Sequence, residues 1–155
     1  MDKFIRTKEQ ADHSLPYLLA VALLDGDVMP VQFQPERIAR ADVQTLLKKV
    51  SVRPNQEYTA EYPAKMPAKI TVRLVDGKII EHEVQACPGL ASEPFTWVES
   101  VEKFDRLVAG RADEGLCNEI KDAVRSIENI QARDLLKLLS RAKAETDDAR
   151  KAQSA

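Results

Sequence analysis

Apolar and polar positions along the chain fall into a succession of short periods. The longest apolar run is Leu15 to Leu24, ten residues including Pro16 and Tyr17. Its residues are apolar on nearly every face, so the pattern predicts a helix that protein must cover on most sides. Asp12 is the expected N-cap, Pro16 is tolerated because it falls in the first turn, and Asp25-Gly26 ends the element. One small domain rarely surrounds a helix completely, so a further surface is expected to cover this one.

After Pro30 the segment Pro35-Glu36-Arg37-Ile38 predicts a short helical turn. Asp42 is expected to cap a helix that buries Val43, Leu46, Leu47 and Val50, with Gln44, Lys48 and Lys49 on its solvent face. Ser51-Val52-Arg53 reads as a short strand stopped by Pro54, followed by a loop from Asn55 to Pro67. Strict alternation then marks a hairpin. Ile70, Val72 and Leu74 alternate with Thr71 and Arg73, and Ile80, His82 and Val84 alternate with Glu81 and Glu83. A two-residue turn at Asp76-Gly77 would set acids on the apolar face. A three-residue turn with Gly77 left-handed pairs Val72 with Ile80 and Ile70 with His82, and sets Lys69 and Thr71 opposite the glutamates.

Thr96-x-x-Glu99 is a capping box that opens a helix with Trp97, Val101, Phe104 and Val108 on one stripe and Gly110 at its end. A second helix carries Leu116, Ile120, Val124 and Ile127, and a third carries Leu135, Leu138 and Leu139. Lys143 to Ala155 contains no large apolar residue and reads as a polar, disordered tail. The fold class is therefore α+β: a small antiparallel sheet, the hairpin at about 68–85, packed with helices, and a helical C-terminal third. The organisation expected is an N-terminal arm over 1–11, a domain over 12–142 and the tail over 143–155.

Composition narrows the function. The chain has 155 residues, with 23 Lys+Arg against 25 Asp+Glu and a net charge of −2, which argues against a nucleic-acid partner. Cys87 and Cys117 form neither a disulfide framework nor a metal-ligand spacing, as expected of a reducing, cytoplasmic protein. The N-terminus has no apolar core of signal-peptide length, and no run approaches the ~20 residues a bilayer needs. Neither secretion nor a membrane is expected.

Gly-rich phosphate loop, nucleophile elbow, zinc spacing and HExxH are all missing, and His13 and His82 are the chain's two histidines, which leaves few groups for acid/base chemistry. His82 is expected half-buried on the inward face of its strand. Cys87 reads as a small apolar filler, Cys117 as core, and Arg37, Arg40, Lys48 and Lys49 as solvated helix faces. The segment Ala11-Asp12-His13-Ser14-Leu15-Pro16-Tyr17 stands apart, with Asp, His, Ser and Tyr at the mouth of a helix. The exposed N–H groups and dipole there favour a carboxylate, and His13 and Tyr17, four apart, are expected on one face.

That segment, with Ala20-Val21-Ala22-Leu23-Leu24-Asp25-Gly26 after it, closely resembles the MmgE/PrpD family, which includes 2-methylcitrate dehydratase. Asp42-Val43-Gln44 with Leu46 to Val50 resembles the family's next helix. The strand from Ala68 with its Asp76-Gly77 turn resembles its hairpin, and Lys103-Phe104 resembles its Lys-Phe pair. The resemblance runs from residue 11 to about residue 140 and concerns only the family's smaller, C-terminal α+β domain. It implies a lyase of propionate metabolism that abstracts a proton beside the carboxylates of a small polycarboxylic acid, without metal or cofactor. Dehydration, decarboxylation or epimerisation follows in a cleft shared with a large helical domain.

By that match Tyr17 and His13 are the catalytic residues and Ser14 and Asp12 the substrate-binding ones. Tyr17 would donate a hydrogen bond or proton, while His13 and Ser14 would position a carboxylate. The chain departs from the family after Gly89, where Leu90-Ala91 stands in place of a polar stretch. The large helical domain, as a separate chain or a missing segment, is the expected partner, and it would cover the over-apolar helix. The alternative is a non-catalytic binding or oligomerisation module, with homo-oligomers formed through that same surface.

Overall fold

The computed structural model describes residues 4–142. The chain divides into two compact units, Met1–Pro94 and Phe95–Ala155. The expected tail, Lys143 to Ala155, lies outside the described residues.

The first unit begins with helix α1, Lys8–Asp12, capped by the Thr7 hydroxyl in a reciprocal capping box with Gln10. Helix α2, Leu15–Asp25, follows after a two-residue break. Its N-cap is Ser14, whose hydroxyl oxygen accepts the Tyr17 N–H at 3.2 Å. Asp12, expected in that role, instead closes α1: His13 and Ser14 turn the chain before α2 starts. Gly26 ends α2 with φ +76°, the left-handed conformation that a residue without Cβ adopts at little cost.

A 3-10 turn, Pro30–Phe33, leads into α3, Pro35–Ala39, and α4, Ala41–Leu47. The N-cap of α4 is Arg40, and Asp42 lies inside the first turn, where its carboxylate accepts the Val43 N–H. The core of this unit is Ala11, Tyr17, Ala20, Val21, Ile38, Val43 and Leu47. Tyr17, Ala20 and Val21 stand at i, i+3 and i+4, so one stripe of α2 is fully buried. The rest of that helix is not: Leu15 is 56% exposed and Leu23 55%. The expectation of cover on most sides is met by this unit on one face only.

Gln44 overturns the solvent-face reading of α4. It is buried, and its side chain accepts the Ile5 N–H at 3.4 Å and donates to the Ile5 and Ile38 carbonyls at 2.7 Å each. A carboxamide has one acceptor and one double donor, so it can tie an incoming strand-like segment to a helix end at once.

Ser51-Val52-Arg53 forms no strand, and the expected loop after it contains helix α5, Gln56–Glu61. Asn55 nucleates that helix by accepting the Glu57 and Tyr58 N–H groups, a capping signal concealed among the proline and tyrosine breaks.

Strands β1, Ala68–Arg73, and β2, Ile79–Val84, form the two-stranded antiparallel sheet. Its register is Ile70 opposite His82 and Val72 opposite Ile80, with Lys69 and Thr71 opposite Glu83 and Glu81. Val75-Asp76-Gly77 is the three-residue turn. The Leu74 N–H reaches the Lys78 carbonyl at 2.8 Å, and Gly77 has φ +85°. Polar pairing works across the strands: Lys69 Nζ lies 3.0 Å from Glu81, which also accepts the Thr71 hydroxyl at 2.9 Å. His82, expected half-buried, is exposed, as is every residue of β2. Cys87, expected as filler, is likewise exposed, whereas Cys117 is buried.

An open groove of about 810 Å³ runs along α2, α5 and β1, its floor set by Leu15, Leu19, Tyr58, Met66 and Ile70.

The second unit is helical. Helix α6, Trp97–Val108, opens with the Thr96–Glu99 capping box, in which the Glu99 carboxylate accepts the Thr96 N–H at 2.8 Å. Helix α7, Glu114–Arg125, starts on an Asp113 cap, and α8, Ala132–Leu139, follows a 3-10 turn. Leu116, Cys117 and Ile120 form its buried centre. Lys121 spans to Asp105 at 3.0 Å, and Arg141 grips Glu119 through two nitrogens at 2.6 and 3.0 Å.

Candidate functional site

The cluster singled out in the sequence sits at the junction of α1 and α2. His13 is the C-cap of α1 and is exposed. Its Nδ1 lies 2.9 Å from the Glu9 carbonyl oxygen. A carbonyl only accepts, so Nδ1 carries the hydrogen and Nε2 is the basic nitrogen of the neutral ring. Asp12 is half-buried and holds Lys8 Nζ at 2.7 Å, one turn back. Ser14 spends its hydroxyl oxygen on the cap of α2.

Tyr17 points the other way. It is fully buried, its ring 6.0 Å from that of Phe33, and its hydroxyl donates to the Gln32 backbone carbonyl. Burial, with Asp25 adding to it and Arg37 opposing it, pushes the Tyr17 hydroxyl above its ordinary value. His13 and Tyr17 thus do not share a face: the break between the two helices rotates one to solvent and the other into the core. The anion cradle expected at the helix mouth is also smaller than the sequence suggested. Pro16 has no N–H, and the Tyr17 and Leu18 N–H groups both go to Ser14.

Behind Tyr17 lies a polar network that the sequence did not reveal. Gln32, buried in the 3-10 turn, donates its side-chain amide to Asp25 at 3.0 Å and accepts the Met29 N–H at 2.9 Å. Arg37 donates through Nε to the same Asp25 oxygen at 2.9 Å and through Nη1 to Asp42 at 3.1 Å. Arg40 closes the chain of contacts at Asp42, 2.9 Å away. Arg37, read from the sequence as solvated, has a side chain only 11% exposed.

The bonds from Arg37 and Gln32 hold the Asp25 carboxyl at about 2, well below the usual carboxylate range. For Asp42 burial acts upward, but the Val43 N–H and the Arg37 guanidinium outweigh it and hold the carboxyl low. No local spacing announces this network. Asp25 and Arg37 are twelve residues apart and meet only because the 3-10 turn folds α3 back onto the end of α2.

Among the described residues no group of three His, Cys, Asp or Glu side chains could hold a metal ion, and no helix is long and apolar enough to cross a membrane. The site therefore offers a solvent-facing imidazole, a capped helix mouth and a buried phenol tied to a carboxylate–guanidinium network.

A family model described as the MmgE/PrpD C-terminal domain matches residues 2–129. This chain belongs to the MmgE/PrpD family. The match takes in the α1–α2 junction, the Asp25–Arg37 network, the hairpin and the second unit as far as α7. The MmgE/PrpD resemblance drawn from Asp12 to Gly26 is borne out at the level of the domain. His13, Ser14, Tyr17 and the network behind them all lie within the matched residues.

Proposed function

We propose that this chain is the small domain of an MmgE/PrpD-type lyase. It would act on a small polycarboxylic acid by abstracting a proton beside a carboxylate, with dehydration, decarboxylation or epimerisation to follow. The observation that carries this reading is the exposed imidazole of His13 beside Ser14 at the mouth of α2, with Nε2 as the basic nitrogen. An imidazole nitrogen facing solvent suits proton abstraction from an activated carbon. In this reading His13 takes the proton. Ser14 positions a substrate carboxylate, and Asp12 contributes by holding the Lys8 ammonium beside them. Tyr17 supports the mouth from beneath. A donor role for its hydroxyl requires that it leave the Gln32 carbonyl.

The reading includes a partner. Too few acid/base groups surround His13 for a complete lyase, and the exposed leucines of α2 call for cover. A large helical domain docked there would bury Leu15 and Leu23, which at 56% and 55% exposure would each gain roughly half of the 1.5–3 kcal/mol that complete burial is worth. The test is an assay of the chain with and without that domain, using 2-methylcitrate as the first substrate and His13→Ala as the control. Dehydration that requires both partners and His13 supports the reading; equal turnover in the variant sinks it.

The same exposed leucines favour a second reading, a non-catalytic module that self-associates. Its measurement is the native mass. A homo-oligomer that Leu23→Glu dissociates, with no turnover in any pairing, would select it.

A further inference from the structure

We propose that Asp25 is a positioning residue for Tyr17 and acts on it through Gln32. The inference rests on the reading of the α2 mouth as the site. Tyr17 and Asp25 stand on one helix eight residues apart, which at ~1.5 Å per residue separates them by about 12 Å along its axis, beyond direct contact. Gln32 closes the gap from outside the helix.

Its carboxamide is fixed at both ends. The oxygen accepts the Met29 N–H at 2.9 Å, and the nitrogen donates to Asp25 Oδ2 at 3.0 Å. A side chain pinned at both polar atoms fixes its own backbone, and the backbone carbonyl of Gln32 is what accepts the Tyr17 hydroxyl. Asp25 is itself held still, because Arg37 donates to both of its oxygens while also gripping Asp42. The hydroxyl of Tyr17 is thus set by Arg37, Asp25 and Gln32 in sequence. A purely structural Asp25 would tie the C-terminal end of α2 to α3 and leave the Tyr17 bond as it is.

Nuclear magnetic resonance of the full chain separates the two roles. The carbon shift of the Gln32 carbonyl is measured in the native protein and in Tyr17→Phe, which removes the bond outright, and that of the Tyr17 ring carbon bearing the hydroxyl in the native protein. In Asp25→Ala the Gln32 carbonyl shift is expected to move at least halfway toward its value in Tyr17→Phe, with the Tyr17 ring carbon moving in step. A folded Asp25→Ala with a lower unfolding midpoint and both resonances unmoved overturns the proposal and leaves Asp25 a structural tie.

Should Asp25→Ala not fold, Gln32→Met reports the same link, since it removes both side-chain bonds and keeps the backbone carbonyl. An unmoved Tyr17 ring carbon there overturns the proposal equally. The readout needs no substrate and no partner domain. Failure of the lyase reading would therefore appear in the activity assay, and failure of this one in the spectrum.

Discussion

The Tyr17 hydroxyl donates to the backbone carbonyl of Gln32, fifteen residues further along the chain. That bond fastens the 3-10 turn to the buried stripe of α2. Removing it in Tyr17→Phe leaves a buried carbonyl without its partner, a loss of about 1–3 kcal/mol. All three tyrosines lie in the first unit and the lone tryptophan, Trp97, in the second. Denaturant unfolding followed by tyrosine ellipticity is expected to shift accordingly. Trp97 fluorescence monitors the second unit in the same sample.

Asp25 gives a pH signature whose sign is fixed. Its carboxyl sits at about 2 in the folded chain against an ordinary 3.8, so the fold favours the carboxylate. The stabilisation is fully present above the ordinary value and is lost as pH falls through about 2. The stability difference between the native chain and Asp25→Asn should therefore be constant at neutral pH and shrink below pH 3.8. Urea unfolding at steps of pH measures it, and a difference that stays flat down to pH 2 would contradict the Arg37 and Gln32 attribution.

Gln44 is expected to be intolerant of substitution although it reads as a surface residue. Gln44→Ala strands the Ile5 N–H and the Ile5 and Ile38 carbonyls, at a cost of about 1–3 kcal/mol. Amide exchange at Ile5 should accelerate in the variant. Unchanged protection there would show that another group holds the N-terminal segment.

Gly77 tests the hairpin register. With φ +85° and nothing within 4 Å of a built Cβ, Gly77→Ala meets no steric obstacle, only the left-handed backbone. The expected cost is about 1–2 kcal/mol, large for a two-stranded ribbon that is marginal by itself. Cross-strand contacts between Val72 and Ile80 should weaken together, since a slip by one residue would carry the apolar set to the other face.

The hairpin and the three C-terminal helices were legible because their signals are local. Alternation, a turn glycine and the Thr96–Glu99 box each lie within a few residues. The stretch from Val50 to Pro67 was misread for the opposite reason. Its strand-like Ser51-Val52-Arg53 found no pairing partner, and the Asn55 cap outweighed the proline breaks. The site was legible as a cluster of residue types at a helix mouth, and that is what carried the family resemblance. Its geometry was not. A helix break between His13 and Leu15 decides which side chain meets water, and the Asp25–Gln32–Arg37 contacts depend on a fold-back that no periodicity records.

If this small domain completes a lyase site supplied mainly by a large helical MmgE/PrpD domain, as proposed, neither half is active by itself. The most direct measurement is turnover of 2-methylcitrate by the chain alone, by such a domain alone, and by the two mixed. Turnover is expected only in the mixture, and is expected to be lost with His13→Ala. Turnover by the chain alone, or a bound mixture that turns over no polycarboxylic acid, would contradict the proposal.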